Sequence, residues 1–156
     1  MPALTAEPPS IKRKSFLFTT SLHWLEGRSG FLRSEGKLGF RVTTPPEFRG
    51  EASTWSPEHL FVGAIETCLM LTFAGVAQKE GLTFGAYMSE ADGVLEWNDG
   101  SYSFTVVTIR PAITVSNHLD VDLARKVLQR AHAGCLVANS LKTEVRIEAS
   151  FNVMPR

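Results

Sequence analysis

The sequence predicts an α+β fold, with antiparallel sheets around one long buried central helix and two copies intertwined as a homodimer. Three observations carry that reading. Stretches in which apolar and polar residues alternate come in hairpin-linked groups before and after residues 56–81, the period of strands with one covered face. Ser56 to Gly81 is apolar around nearly its whole circumference, which marks a helix buried on most sides. The sheets of one chain would leave part of that helix bare, so a second copy is expected to cover the rest.

Residues 1–11 are Pro-rich and polar and read as a loose arm on a single domain spanning 1–156. From Ser15 to Glu26, Phe16, Phe18, Thr20, Leu22 and Trp24 alternate with smaller or polar residues, predicting a strand with one buried face. It stops at Glu26-Gly27-Arg28-Ser29-Gly30. A short strand over Phe31 to Arg33 follows, then a turn at Ser34-Glu35-Gly36, then a third strand carrying Leu38, Phe40 and Val42 as far as Thr44. Pro45-Pro46 ends this meander, and Glu47 to Trp55 form a loop.

The central helix is signalled at both ends. Ser56 can accept from an orphan backbone N–H, Pro57 has the φ of a first helical position, and Glu58 suits the positive helix end. Gly81 supplies a left-handed stop. Beyond it Leu82, Phe84, Ala86 and Met88 alternate up to a turn expected at Asp92-Gly93. Val94, Leu95 and Trp97 lead into a hairpin turn at Asn98-Asp99-Gly100-Ser101. Tyr102 to Val115 is a further strand in which Pro111 marks an edge or a bulge. Asn117 or Asp120 caps a second helix with Leu119, Leu123, Val127, Leu128 and Ala131 at helical spacing. His132-Ala133-Gly134-Cys135 closes or bends it, Leu136 to Leu141 continue briefly, and Val145 to Val153 alternate as a last strand.

At 156 residues the chain can bury a real core without a disulfide or metal. Lys plus Arg equals Asp plus Glu at 16 each, so no net field recruits nucleic acid or an anionic membrane. The first residues lack both the basic start and the apolar core of a secretory leader, and Glu66 interrupts the longest apolar run. A cytoplasmic chain is expected, in which cysteines stay as thiols.

Four histidines and two cysteines lack paired zinc-ligand spacing, so neither a metal nor another cofactor is expected. Phosphate-loop, dinucleotide-binding and nucleophile-elbow patterns are missing too. Thiol chemistry remains, or none. Cys68 and Cys135 read either as small core residues or as reactive groups, and a reactive thiol needs help because an unassisted one ionises near pH ~8.5. Arg28, between two glycines, is a cation that could swing inward; otherwise it is a solvated loop residue, paired with Glu26. Glu66 reads as a partner for an arginine such as Arg28 or Arg49, or as a partly exposed helix residue.

The set Gly27-Arg28-Ser29-Gly30, Ser56-Pro57-Glu58-His59-Leu60, Cys68, and Ala131-His132-Ala133-Gly134-Cys135 with Asn139-Ser140 resembles the OsmC/Ohr family of hydroperoxide reductases. The resemblance runs from about Ser15 to Val153 and implies an OsmC-like fold. It also implies a peroxidatic role for Cys68, a resolving role for Cys135 through a Cys68–Cys135 disulfide, a thiolate-holding role for Arg28, and a role for Glu58 in orienting that arginine. Organic hydroperoxides as substrates and a dithiol reductant, often lipoyl-based, are implied as well. The family commonly has proline after its second cysteine, where this chain has Leu136.

At about 1.5 Å per residue, Glu58 and Cys68 lie roughly 15 Å apart along one straight helix. If both serve one site, the helix is broken or a second copy supplies one of them. Two other classes stay open: an apolar-ligand-binding or stress-associated protein of the same fold without turnover, and a structural protein in which both cysteines are core filler.

Overall fold

A computed structural model describes residues 13–155; the expected arm over 1–11 lies outside them. The described chain is α+β. Strands β1 (Ser21–Glu26), β2 (Ser29–Arg33) and β3 (Phe40–Thr43) form a three-stranded antiparallel sheet in that order. Helix α1 (Pro57–Glu80) follows, then β4 (Phe84–Asn98) and β5 (Ser101–Val115), helix α2 (Leu119–Ala133), and short strands β6 (Glu144–Ile147) and β7 (Ser150–Val153).

Helix α1 begins and ends where its sequence signals lie. Ser56 Oγ accepts from the His59 backbone N–H at 3.2 Å, and Gly81 takes φ +72°, its N–H closing on Ala77 O. Only one stripe of the helix is buried, Ile65, Leu69, Phe73 and Ala77 at helical spacing. It is long and apolar enough to cross a membrane, yet this stripe packs into the core of the chain with Val107, Ile109, Ile113 and Val115 from β5 and Val127 and Ala131 from α2. Burying each large member contributes roughly 1.5–3 kcal/mol. The other sides of α1 are left partly open, so the expectation of a helix covered all round is not met by one chain.

The second sheet corrects two expectations. β4 does not turn at Asp92-Gly93 but runs unbroken, because Gly93 answers a packing need: an added Cβ would stand 2.5 Å from Val62 Cγ2 and 2.9 Å from Phe104 Cε1. The real turn is at Asp99 and Gly100, both with positive φ. β6 and β7 pair parallel to β5, so this sheet is mixed rather than antiparallel. Pro111 lies in β5 between the stretches that meet β6 and β7, and without an N–H it cannot donate to either.

The first sheet differs from its reading in another way. Its opening strand is only Ser21–Glu26, residues 15–20 being irregular. Neither face of β1 is covered by the described residues, and Trp24 is 74% exposed. The sheet meets the body through the Thr43 N–H, which donates to Trp55 O at 2.9 Å.

Candidate active site

Two segments far apart in sequence converge on one pair of sulfur atoms. Cys68 sits mid-helix in α1, and Cys135 follows the C-terminus of α2, where Gly134 ends the helix with its N–H on Arg130 O at 2.9 Å. Packing of α2 on α1 through Ala124, Val127, Leu128 and Ala131 brings the two thiols close enough for each to shift the other's ionisation. Both are free thiols. The loop carrying Cys135 is held by its own bonds: Asn139 N–H donates to Cys135 O at 2.9 Å, Asn139 Nδ2 to Ala133 O at 2.9 Å, and Ser140 Oγ to Leu136 O at 2.7 Å.

The two sulfurs differ in surroundings. Burial alone would push the Cys68 thiol up, but the Val137 N–H, the Cys135 thiol, the Thr72 hydroxyl and the Leu136 N–H together hold it below its ordinary value. Thr72 Oγ1 stands 4.0 Å from Cys68 Sγ, one helical turn on. Burial pushes the Cys135 thiol up, and the neighbouring Cys68 sulfur adds to that shift against the Ala138 and Val137 N–H groups. The more acidic sulfur is also the accessible one. Cys68 lines a groove of about 720 Å³ with Trp55, Leu60, Ala64, Leu71 and Leu136, nearly all apolar, whereas Cys135 is 1% exposed.

Arg28 and Glu58 are not at this groove. Arg28 Nη1 donates to Phe48 O at 2.6 Å, in a separate cleft with Arg41, Arg49 and Glu51. Glu26, its partner in the solvated-loop reading, faces Arg41 at 3.8 Å. Glu58 lines a cavity on another side of α1 with His59, Glu66 and Asp92, and its Oε2 is buried without a hydrogen-bond partner. Glu66 meets no arginine among the described residues; its Oε1 accepts from Ser89 Oγ at 2.5 Å. No metal-holding group of three His, Cys, Asp or Glu residues occurs among the described residues.

Sequence reading missed Thr72 and the amides of Leu136 to Ala138. Thr72 was detectable by its one-turn offset from Cys68 on a helix; backbone donors carry no side-chain signal.

Comparisons with known proteins agree with this fold. A curated Bacillus subtilis protein, the uncharacterized YmaD, is 25% identical over 123 residues, covering 76% of this chain and 82% of its own length. The Escherichia coli peroxiredoxin OsmC is 27% identical over 101 residues, 65% of this chain and 69% of that protein. Among solved structures, an OsmC-like protein of unknown function from Vibrio cholerae superposes with a TM-score of 0.81 at 25% identity, covering 87% of this chain and all of that one. The family model described as OsmC-like protein matches residues 50–150, and this chain belongs to the OsmC-like family.

Proposed function

We propose that this chain is a thiol peroxidase that reduces organic hydroperoxides through Cys68 and Cys135. The observation that carries the reading is the pairing itself: an accessible thiol of lowered pKa, in an apolar groove, beside a second, shielded thiol that shifts its ionisation. The Cys68 thiolate attacks the distal peroxide oxygen. The O–O bond breaks, the alkoxide leaves and takes a proton, and Cys68 becomes a sulfenic acid. Cys135 then attacks that sulfur, water leaves, and the disulfide closes. A dithiol returns both thiols. The groove walls suit an alkyl chain better than hydrogen peroxide, which gains little from apolar contact.

The working unit in this reading is a homodimer. Exposed Leu22 and Trp24 of β1 and the open sides of α1 call for apolar cover. In this reading a second copy supplies what one chain leaves apart: Glu58 of one protomer comes toward Cys68 of the other, where Arg28 is held beside the thiolate. A soluble, cytoplasmic setting fits a cycle that starts from thiols.

The test is consumption of tert-butyl hydroperoxide in the presence of a dithiol. Cys68→Ser abolishes it, and Cys135→Ser permits one sulfenic acid per chain without dithiol-driven turnover. Apolar-ligand binding that survives Cys68→Ser, with no peroxide consumed by the native protein, contradicts the reading and favours a binding module.

A further inference from the structure

We infer that the groove between α2 and the strands β6 and β7 is a second ligand site, in which the Arg125 guanidinium takes the head group of an alkyl carboxylate and the apolar floor takes its chain. The site lies apart from the two thiols and stands or falls independently of the peroxidase reading.

Leu128, Gln129 and His132 follow Arg125 at offsets of three, four and seven along α2, so one stripe of the helix faces this groove. Across it stand Val145, Ile147, Ala149 and Phe151, alternate positions that are all half-buried. The groove measures about 720 Å³, within the range of small-molecule clefts, roughly 300–1,000 Å³. It shares no lining residue with the groove at Cys68, and it lies away from α1 and β1, the elements that call for cover by a second copy.

The charge at this groove is specific. Arg125 Cζ stands 4.7 Å from the centroid of the Phe151 ring. Stacking holds the guanidinium by its face and leaves its in-plane N–H donors open. Among the described residues Arg125 forms no ion pair, whereas Arg146 is engaged by Glu144 at 2.8 Å and Glu148 by Arg110 at 3.2 Å. His132 is two helical turns further on, about 10.5 Å along the axis, at the other end of the groove. One uncommitted guanidinium therefore sits beside an apolar floor.

That combination selects a singly charged, planar head on an apolar tail. A carboxylate accepts two parallel bonds from the guanidinium fork. A phosphate dianion would lack a second cation, because Arg146 is already paired. A peptide strand is a poorer occupant, since exposed Glu144, Arg146 and Glu148 alternate along this edge of the sheet, a pattern that discourages strand addition. Each methylene buried on the floor strengthens binding by at most about fourfold, so affinity should climb with chain length.

The test is calorimetric titration of the full-length, reduced protein with sodium decanoate at fixed ionic strength. One decanoate per chain is expected, bound at least fivefold more tightly than octanoate and at least tenfold more tightly than decanol. Arg125→Gln should weaken decanoate at least tenfold, and Arg125→Lys less, because an ammonium keeps the charge but loses the fork. Ala149→Trp, which fills the floor, should weaken it at least tenfold with the charge intact. Leu136→Trp, which narrows the groove at Cys68, should leave it unchanged. No binding by the native protein, equal affinity in Arg125→Gln, or loss of binding in Leu136→Trp overturns the inference. Peroxide consumption plays no part in these outcomes.

Discussion

The Cys68 thiol lies beside both the Cys135 thiol and the Val137 amide, which draw its pKa down against burial, so the segment after α2 supplies its partner sulfur and a stabilising amide together. Burial opposes ionisation of Cys68, and these donors with Thr72 and Leu136 outweigh it, while Cys135 shifts upward. Iodoacetamide should therefore label Cys68 at a lower pH than Cys135, read by peptide mapping across a pH series. Thr72→Val should move the Cys68 midpoint upward and leave the Cys135 order unchanged, whereas Thr72→Ser should restore it. Coincident profiles for the two cysteines would contradict the assigned environments.

Tyr87 packs against Phe73 at 5.5 Å, and its buried hydroxyl finds no hydrogen bond of good geometry. Tyr87→Phe should stabilise the protein by about 1 kcal/mol in urea unfolding, because an unsatisfied buried polar group costs about that much. Burial, then the charge of Glu66, pushes the tyrosine up to about 12, with Ser89 offsetting part of the shift. An ordinary tyrosine ionises near pH ~10. The native state thus keeps its proton while the unfolded chain loses it. This contribution is complete below about pH 10 and is lost as pH rises toward 12. The variant should lack that alkaline loss.

At Gly93, β4 passes close to Val62 of α1. A methyl group there meets Val62 and Phe104, and Phe104 stacks on Phe61 with ring centroids 4.6 Å apart. Gly93→Ala should cost about 1–3 kcal/mol, measured as a lowered urea midpoint with unchanged slope.

The first sheet is the place to test assembly. Sedimentation should give about twice the chain mass of 17.2 kDa. Leu22→Glu combined with Trp24→Glu, at positions 62% and 74% exposed in the chain, should abolish the dimer. A native protein that stays monomeric at tens of micromolar would remove the proposed route by which Arg28 and Glu58 reach the thiols.

Much of the fold was legible because local chemistry and tertiary need coincide. Ser56, Pro57 and Gly81 bound α1 as capping rules require, Asn117 Oδ1 accepts from the Leu119 and Asp120 N–H groups at the start of α2, and Asp99-Gly100 turn the hairpin. Gly93 misled because a glycine needed for close packing reads like one needed for a turn. The irregular backbone over 15–20 carries strand-like alternation that no strand among the described residues pairs. At the site, the two cysteines stood out as residue types, but their contact depends on how α2 packs on α1. Arg28 stood out as a cation between two glycines, the site role of Glu58 was legible only through family resemblance, and in one chain the two lie in different clefts.

The central claim, that Cys68 and Cys135 form one redox pair, is tested most directly by counting thiols. The reduced protein should show two free thiols per chain, and one equivalent of tert-butyl hydroperoxide should remove both, leaving a Cys68–Cys135 disulfide in the peptide map that a dithiol reverses. Loss of one thiol only, or of neither, would contradict the account.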